Sequence, residues 1–104
     1  MNFIGFKNKQ SSQFAIIIDV LSSFHDEIWI YFKPELLVIG TIQGNNLVKI
    51  TLDMNKYKYE CYERICVKCD IYLLLNKLKQ YNLNKSLSIT LGSNGLFVNG
   101  TLKK

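Results

Sequence analysis

The stretch Ile65–Tyr81, ICVKCDIYLLLNKLKQY, predicts a short strand that leads directly into an amphipathic helix. Asp70 lies at the expected N-cap, because its carboxylate can accept the first free amide hydrogens of the helix. Four apolar side chains follow at i, i+3, i+4 and i+7 and form one face that has to be buried: Ile71, Leu74, Leu75 and Leu78. Leu73 is the exception, since the same spacing places it on the polar face.

The same periodicity predicts a second helix near the N-terminus. Apolar residues recur at helical spacing across Gln13–Phe24. Ser11 or Ser12 is positioned to cap this helix. Its outward face carries Asp19, and the chain has no Lys or Arg between residues 10 and 32.

The rest of the chain is predicted to be β-structure separated by turns, and Asn94-Gly95 marks the turn of the last hairpin. The predicted strands are Phe3–Phe6, Glu27–Phe32, Leu36–Ile42, Leu47–Asp53, Ile65–Cys69, Ser86–Leu91 and Leu96–Leu102, with a short extended piece at Tyr57–Tyr59. Together with the helices they give a β-α-β-β-β unit that is repeated, the second copy being one strand short. We therefore predict a single α+β domain over residues 1–104, with both helices on one face of an antiparallel sheet.

Composition favours a folded intracellular protein without a membrane segment. The chain has 104 residues, 48% of them hydrophobic, which is enough for one core. No apolar run approaches the roughly 20 residues of a membrane helix, and the N-terminus lacks the pattern of a signal peptide. The net charge of +5 comes from residues 71–104, which contain lysines and no acid. Such a basic segment is compatible with weak attraction to polyanions.

The three cysteines do not predict a metal site or a disulfide framework. An odd number of cysteines without a secretory signal argues against paired disulfides. Cys66 and Cys69 form a C-x-x-C, but a second ligand pair is missing and His25 is the only histidine. Because both cysteines precede the helix cap, we interpret them as buried structural thiols, with a redox dithiol as the alternative. No catalytic pattern is found, so neither enzymatic activity nor a cofactor is predicted.

The order of elements and several local motifs resemble one half of a DNA sliding clamp of the proliferating-cell-nuclear-antigen (PCNA) type. The corresponding motifs are the tryptophan strand Ile28–Ile30, the strand Leu47–Leu52, the spaced aromatics Tyr57 and Tyr59, the helix end at Leu78-Lys79 and the strand Ile89–Leu91. The resemblance covers nearly the whole chain. Its motifs are apolar patterns rather than catalytic signatures.

The resemblance implies a function without chemistry. Clamps of this type form a ring of six such units around duplex DNA, and lysines on the helices contact phosphates without reading bases. Replication proteins such as DNA polymerase dock on the outside. The implied partners are copies of the chain, double-stranded DNA and replication proteins, in the nucleus or cytoplasm. The implied phosphate contacts are Lys77, Lys79 and Lys85, with Lys7 and Lys9 before the first helix.

Three departures from the family pattern define an alternative. The first helix exposes Asp19 and lacks cations, the chain has one half-unit rather than two, and the last strand of the second repeat is missing. An unpaired edge of this kind either recruits another subunit by strand addition or marks part of a longer clamp. The alternative is a clamp-fold accessory protein of replication or late transcription that binds proteins without encircling DNA. The many Lys, Asn, Ile and Tyr residues are typical of an AT-rich genome such as that of a large DNA virus.

Overall fold

The computed structural model describes residues 2–93 and 95–103 and contains the predicted order of elements. The elements are β1 (Asn2–Phe6), α1 (Asn8–Leu21), β2 (Glu27–Phe32), β3 (Leu36–Gln43), β4 (Asn46–Asp53), a 3-10 turn (Met54–Lys56), β5 (Lys58–Glu60), β6 (Ile65–Asp70), α2 (Ile71–Leu78), β7 (Leu87–Gly92) and β8 (Gly95–Gly100). The α+β class and the incomplete second β-α-β-β-β copy are therefore confirmed. Of the predicted last turn, Asn94 lies outside the described residues.

The strands form two antiparallel sheets of four strands each. The β1 sheet has the order β5-β1-β7-β8, and the β2 sheet has the order β4-β3-β2-β6. The sequence pattern led us to expect a single sheet. Alternation along a strand identifies the buried face but not the neighbouring strand, so the pattern carries no information about this division.

Both helices pack on the two sheets through the predicted apolar faces, and one core results. The four stripe residues of α2 are at most 7% exposed, whereas Leu73 is 70% exposed, as its spacing predicts. The corresponding buried residues of α1 are Phe14, Ile18 and Leu21. Burial of one such side chain stabilises the fold by about 1.5–3 kcal/mol, so the two helices are held mainly by packing.

Neither described helix has the length and apolar character needed to span a membrane.

The two helices begin differently. At α2, the Asp70 carboxylate accepts the amide hydrogens of Tyr72 at 2.9 Å and Leu73 at 3.1 Å, which confirms the predicted cap. The predicted cap of α1 at Ser11 or Ser12 is wrong, because this helix begins at Asn8 and includes both serines. Its first turn is closed by the Gln10 side chain, which accepts the Lys7 amide at 2.9 Å.

A buried asparagine fastens the connection between the two sheets. The loop after β5 carries the chain from the β1 sheet to β6 in the β2 sheet. Asn2, 3% exposed, donates to the Glu63 carbonyl at 2.7 Å. Its side-chain oxygen accepts the amides of Tyr62 at 2.8 Å and Glu63 at 3.1 Å. All three bonds hold this loop against the beginning of β1.

Candidate nucleic-acid interface

The two helices lie side by side and run in opposite directions. The groove between them is lined by Ser12 and Asp19 from α1 and by Leu75 and Lys79 from the α2 side. At the other end, the Ile71 amide donates to the Asp26 carbonyl at 2.9 Å, which joins the start of α2 to the segment after α1. The beginning of α1 therefore lies beside the end of α2.

Ser11 brings two of the predicted phosphate-binding lysines together. This residue is fully buried, and its hydroxyl donates to the carbonyls of Lys85 at 2.9 Å and Lys7 at 3.2 Å. Both lysine side chains belong to exposed residues. Lys7 and Lys85, which are distant in the sequence, are therefore neighbours at the start of α1. Lys7 occupies the N-cap position of this helix.

Lys9 and Lys79 lie at the same end of the helix layer. The sequence predicted Lys9 to lie before α1, but the structure places it in the first turn of this helix. Its carbonyl accepts the Ser12 hydroxyl at 3.0 Å. Ser12 in turn lines the groove together with Lys79, the C-cap residue of α2. Four of the five predicted lysines thus lie at this end of the helix layer, and they remain predictions as DNA contacts.

Lys77 is placed apart from these four. It lines a different cleft of about 470 Å³ between α2 and β8, together with Asp70, Leu73 and Phe97. In the described part of the chain, none of the five predicted lysines forms an ion pair. An ammonium group outside an ion pair can contact an anion, but Asp70 lines the same cleft as Lys77 and Asp19 lines the same groove as Lys79.

One lysine at this end of the helix layer was missed by the sequence analysis. The Gln10 side chain, which accepts the Lys7 amide, donates to the Lys56 carbonyl at 2.9 Å. Lys56 lies in the 3-10 turn after β4 and is exposed. It is 46 residues from Gln10 in the chain, and no local pattern indicates this contact.

The outward face of the helix layer carries several exposed apolar side chains among its polar ones. Ile16 and Val20 on α1 are 61% and 51% exposed, and Tyr72 on α2 is 53% exposed. Asp19 is the exposed charged residue between the first two. The exposed Asp19 and its apolar neighbours agree with the sequence-based departure from a DNA-lining helix.

The C-x-x-C pair lies on β6, where successive side chains point to opposite faces. Cys66 is exposed and Cys69 is half-buried, so the prediction of a buried thiol is wrong for Cys66. Three residues along a strand span about 10 Å, too far for a disulfide without backbone movement. Burial raises the pKa of the Cys69 thiol to about 11, with a further contribution from Cys66. The arrangement therefore does not suit a redox dithiol.

A cluster of possible metal ligands occurs between α1 and β2, where ligand atoms of His25, Asp26 and Glu27 lie within 4.8 Å of one another. His25 Nδ1 accepts the Glu27 amide at 3.0 Å and lies 3.1 Å from Asp26 Oδ1. The Glu27 carboxylate forms an ion pair with Lys68 at 3.4 Å. These contacts account for the cluster as part of the turn into β2.

Comparison with known proteins identifies the fold. No protein-family model and no curated protein sequence matches the chain. Among solved structures, PCNA from Thermococcus kodakaraensis superposes on 100% of this chain and 43% of its own, with a TM-score of 0.85 and 22% identity. Pol III beta from Caulobacter crescentus superposes on 96% of this chain and 26% of its own, with a TM-score of 0.74 and 10% identity. The chain thus spans less than half the length of either protein, and the predicted PCNA-like half-unit of the clamp fold is confirmed.

Proposed function

We propose that this clamp-fold chain is a non-enzymatic processivity or scaffold subunit that assembles with copies of itself around duplex DNA and tethers replication proteins. The single observation that carries the proposal is the superposition of the whole chain on PCNA with a TM-score of 0.85. The site of action is where DNA is replicated, in the nucleus or cytoplasm of the cell.

Assembly is supported by two of the four sheet edges in the described part of the chain, because these two carry strongly exposed apolar side chains. Among the described strands, β4 pairs only with β3 and β8 pairs only with β7, so each leaves one row of backbone groups unpaired. Leu47 on β4 is 68% exposed, and Phe97 on β8 is 54% exposed beside the cleft that Leu73 also lines. Pairing of β4 with β8 of the next copy buries these groups. Because the two edges differ, the contact is head-to-tail and closes into a ring if the rotation permits.

Contact with DNA is supported by the lysines on and beside the helices. Phosphate contacts of this kind are independent of sequence and weaken with salt, which suits a protein that slides.

Tethering is supported by the outward face of the β2 sheet. Trp29 and Tyr31 lie two residues apart on β2, and Tyr31 is paired with Val38 of β3. Aromatic and aliphatic side chains of this kind suit short hydrophobic peptides of a polymerase or another replication protein.

The test combines measurement of the assembly mass with retention on DNA. We expect the wild-type protein to form a closed oligomer and to bind duplex DNA at about 50 mM salt. Phe97→Asp places a carboxylate in the β4–β8 contact and should weaken association by at least about 30-fold, the effect of an interface residue worth about 2 kcal/mol. Tyr62→Asp is the matched control, because Tyr62 is 73% exposed and lies outside both edges. A monomer at every concentration that ignores duplex DNA would overturn the proposal.

Two exposed apolar side chains on α1 favour a second candidate function. Ile16 and Val20 are more than half exposed on the side that a ring of this fold presents to DNA. The alternative is a viral replication or late-transcription accessory protein that uses this face to bind proteins without encircling DNA. Oligomerisation without DNA affinity, together with loss of a protein partner in Ile16→Lys, would favour the alternative.

A further inference from the structure

Two consecutive side chains at the start of α1 connect three separate segments of the chain. Gln10 accepts the Lys7 amide and donates to the Lys56 carbonyl, both at 2.9 Å. Ser11 donates to the carbonyls of Lys7 and Lys85. The segment before α1, the 3-10 turn after β4 and the loop before β7 therefore meet at one place, and each contributes a lysine.

This place concentrates positive charge. All three lysines belong to exposed residues, and none forms an ion pair within the described ranges 2–93 and 95–103. The acid nearest to Lys56 in the sequence is Asp53, whose carboxylate accepts the Asn55 amide at 3.0 Å and caps the 3-10 turn. Because their backbones are joined through two side chains, the three exposed lysines extend from neighbouring points of the surface.

We propose that Lys7, Lys56 and Lys85 form a single phosphate-binding corner for the DNA backbone, and that Gln10 and Ser11 are its positioning residues. This inference rests on the proposed function and deepens it, because it adds Lys56 and places the main contact at one end of the helix layer. Lys77 lies on the other side of α2, in the cleft beside β8, and contributes less. Ser11 holds Lys85 in place through a buried hydrogen bond of 2.9 Å.

The first experiment measures duplex affinity against salt for the full chain. Each phosphate neutralised by a lysine contributes about 0.9 to the slope of log K against log salt. Lys56→Gln should therefore reduce the magnitude of this negative slope by about 0.9, and a lower slope here means a smaller magnitude. The matched control is Lys58→Gln, which removes the same charge two residues away. Lys58 pairs with Gly5 on the face of the β1 sheet that points away from the helices, so its slope should not change.

The second experiment tests the positioning role of Ser11. Ser11→Ala should lower the salt slope, and Lys85→Gln should do the same. If Ser11 acts through Lys85, the loss in the double variant is smaller than the sum of the single losses. A role limited to stability would leave the slope unchanged, and additive losses would refute positioning.

The possible outcomes separate this inference from the proposed function. If Lys56→Gln leaves the slope unchanged while Lys77→Gln lowers it, the corner is refuted and DNA binding by the clamp fold stands. If Lys56→Gln and Lys58→Gln lower the slope equally, total charge rather than the corner determines binding. If the wild-type protein shows no salt-dependent duplex binding, the corner and the proposed DNA contact both fail.

Discussion

Replacement of Asn2 by alanine tests how the two sheets are held together. The substitution removes three hydrogen bonds of 2.7, 2.8 and 3.1 Å between the start of β1 and the loop that leads to β6. A hydrogen bond contributes about 0.5–1.5 kcal/mol net. Because Tyr62 and Glu63 are exposed residues whose freed backbone groups can reach water, the lower part of that range applies. We expect a loss of about 2 kcal/mol in the free energy of unfolding.

Two assays measure this loss. For a domain of this size, a loss of about 2 kcal/mol lowers the urea midpoint by about 1–2 M. Arg64 follows Glu63 in the same loop and is exposed, so trypsin cleavage there reports local opening. If the loop opens on its own, 2 kcal/mol corresponds to cleavage up to about 30-fold faster.

The matched control for Asn2→Ala is Asn99→Ala. Asn99 is an exposed asparagine on β8, and its replacement should change the free energy of unfolding by less than about 0.5 kcal/mol. An unchanged midpoint together with unchanged cleavage at Arg64 in Asn2→Ala would refute the role of Asn2. Faster cleavage with an unchanged midpoint would limit that role to the loop.

Two further substitutions test the strand and helix of the stretch Ile65–Tyr81. Asp70→Ala removes the cap of α2 and should lower the free energy of unfolding, measured in urea, by about 1 kcal/mol. Asp70→Asn should retain most of this free energy, because asparagine also caps helices. Equal losses in the two variants would contradict the capping role. Burial, with a smaller contribution from Cys66, raises the pKa of the Cys69 thiol to about 11 in the folded state. Between about pH 8.5 and pH 11 the folded protein therefore binds one more proton than the unfolded chain. The free energy of unfolding should fall as the pH rises through this window. Cys69→Ala should have a shallower fall than the wild type, and identical pH profiles would refute the assignment.

Much of the fold follows from local patterns in the sequence. The cap at Asp70, the buried stripe of α2 and the exposed Leu73 all follow from spacing within a few residues. The limits of β2 were also predicted correctly, because its aromatic and β-branched residues have strong strand propensity. The start of α1 was not, since Gln10 and Ser11 make contacts with distant segments that the local pattern does not contain.

The candidate interface was only partly predictable. The sequence indicated which lysines lie near helices, but not that Lys7 and Lys85 share one serine hydroxyl or that Lys56 joins them. The contact between Ser11 and Lys85 joins residues 74 positions apart. It forms because α1 and the loop before β7 are both drawn onto the same core.

The sequence by itself determined the class of fold, the order of the elements and the buried faces of both helices, because capping and periodicity act over one or two turns of chain. The tertiary structure alone decided that the strands divide into two sheets, that Lys77 is separated from the other lysines, and that Lys7, Lys56 and Lys85 are joined at the start of α1. These features depend on contacts between residues far apart in the chain. Such contacts are selected by the burial of one shared core, which no short segment specifies.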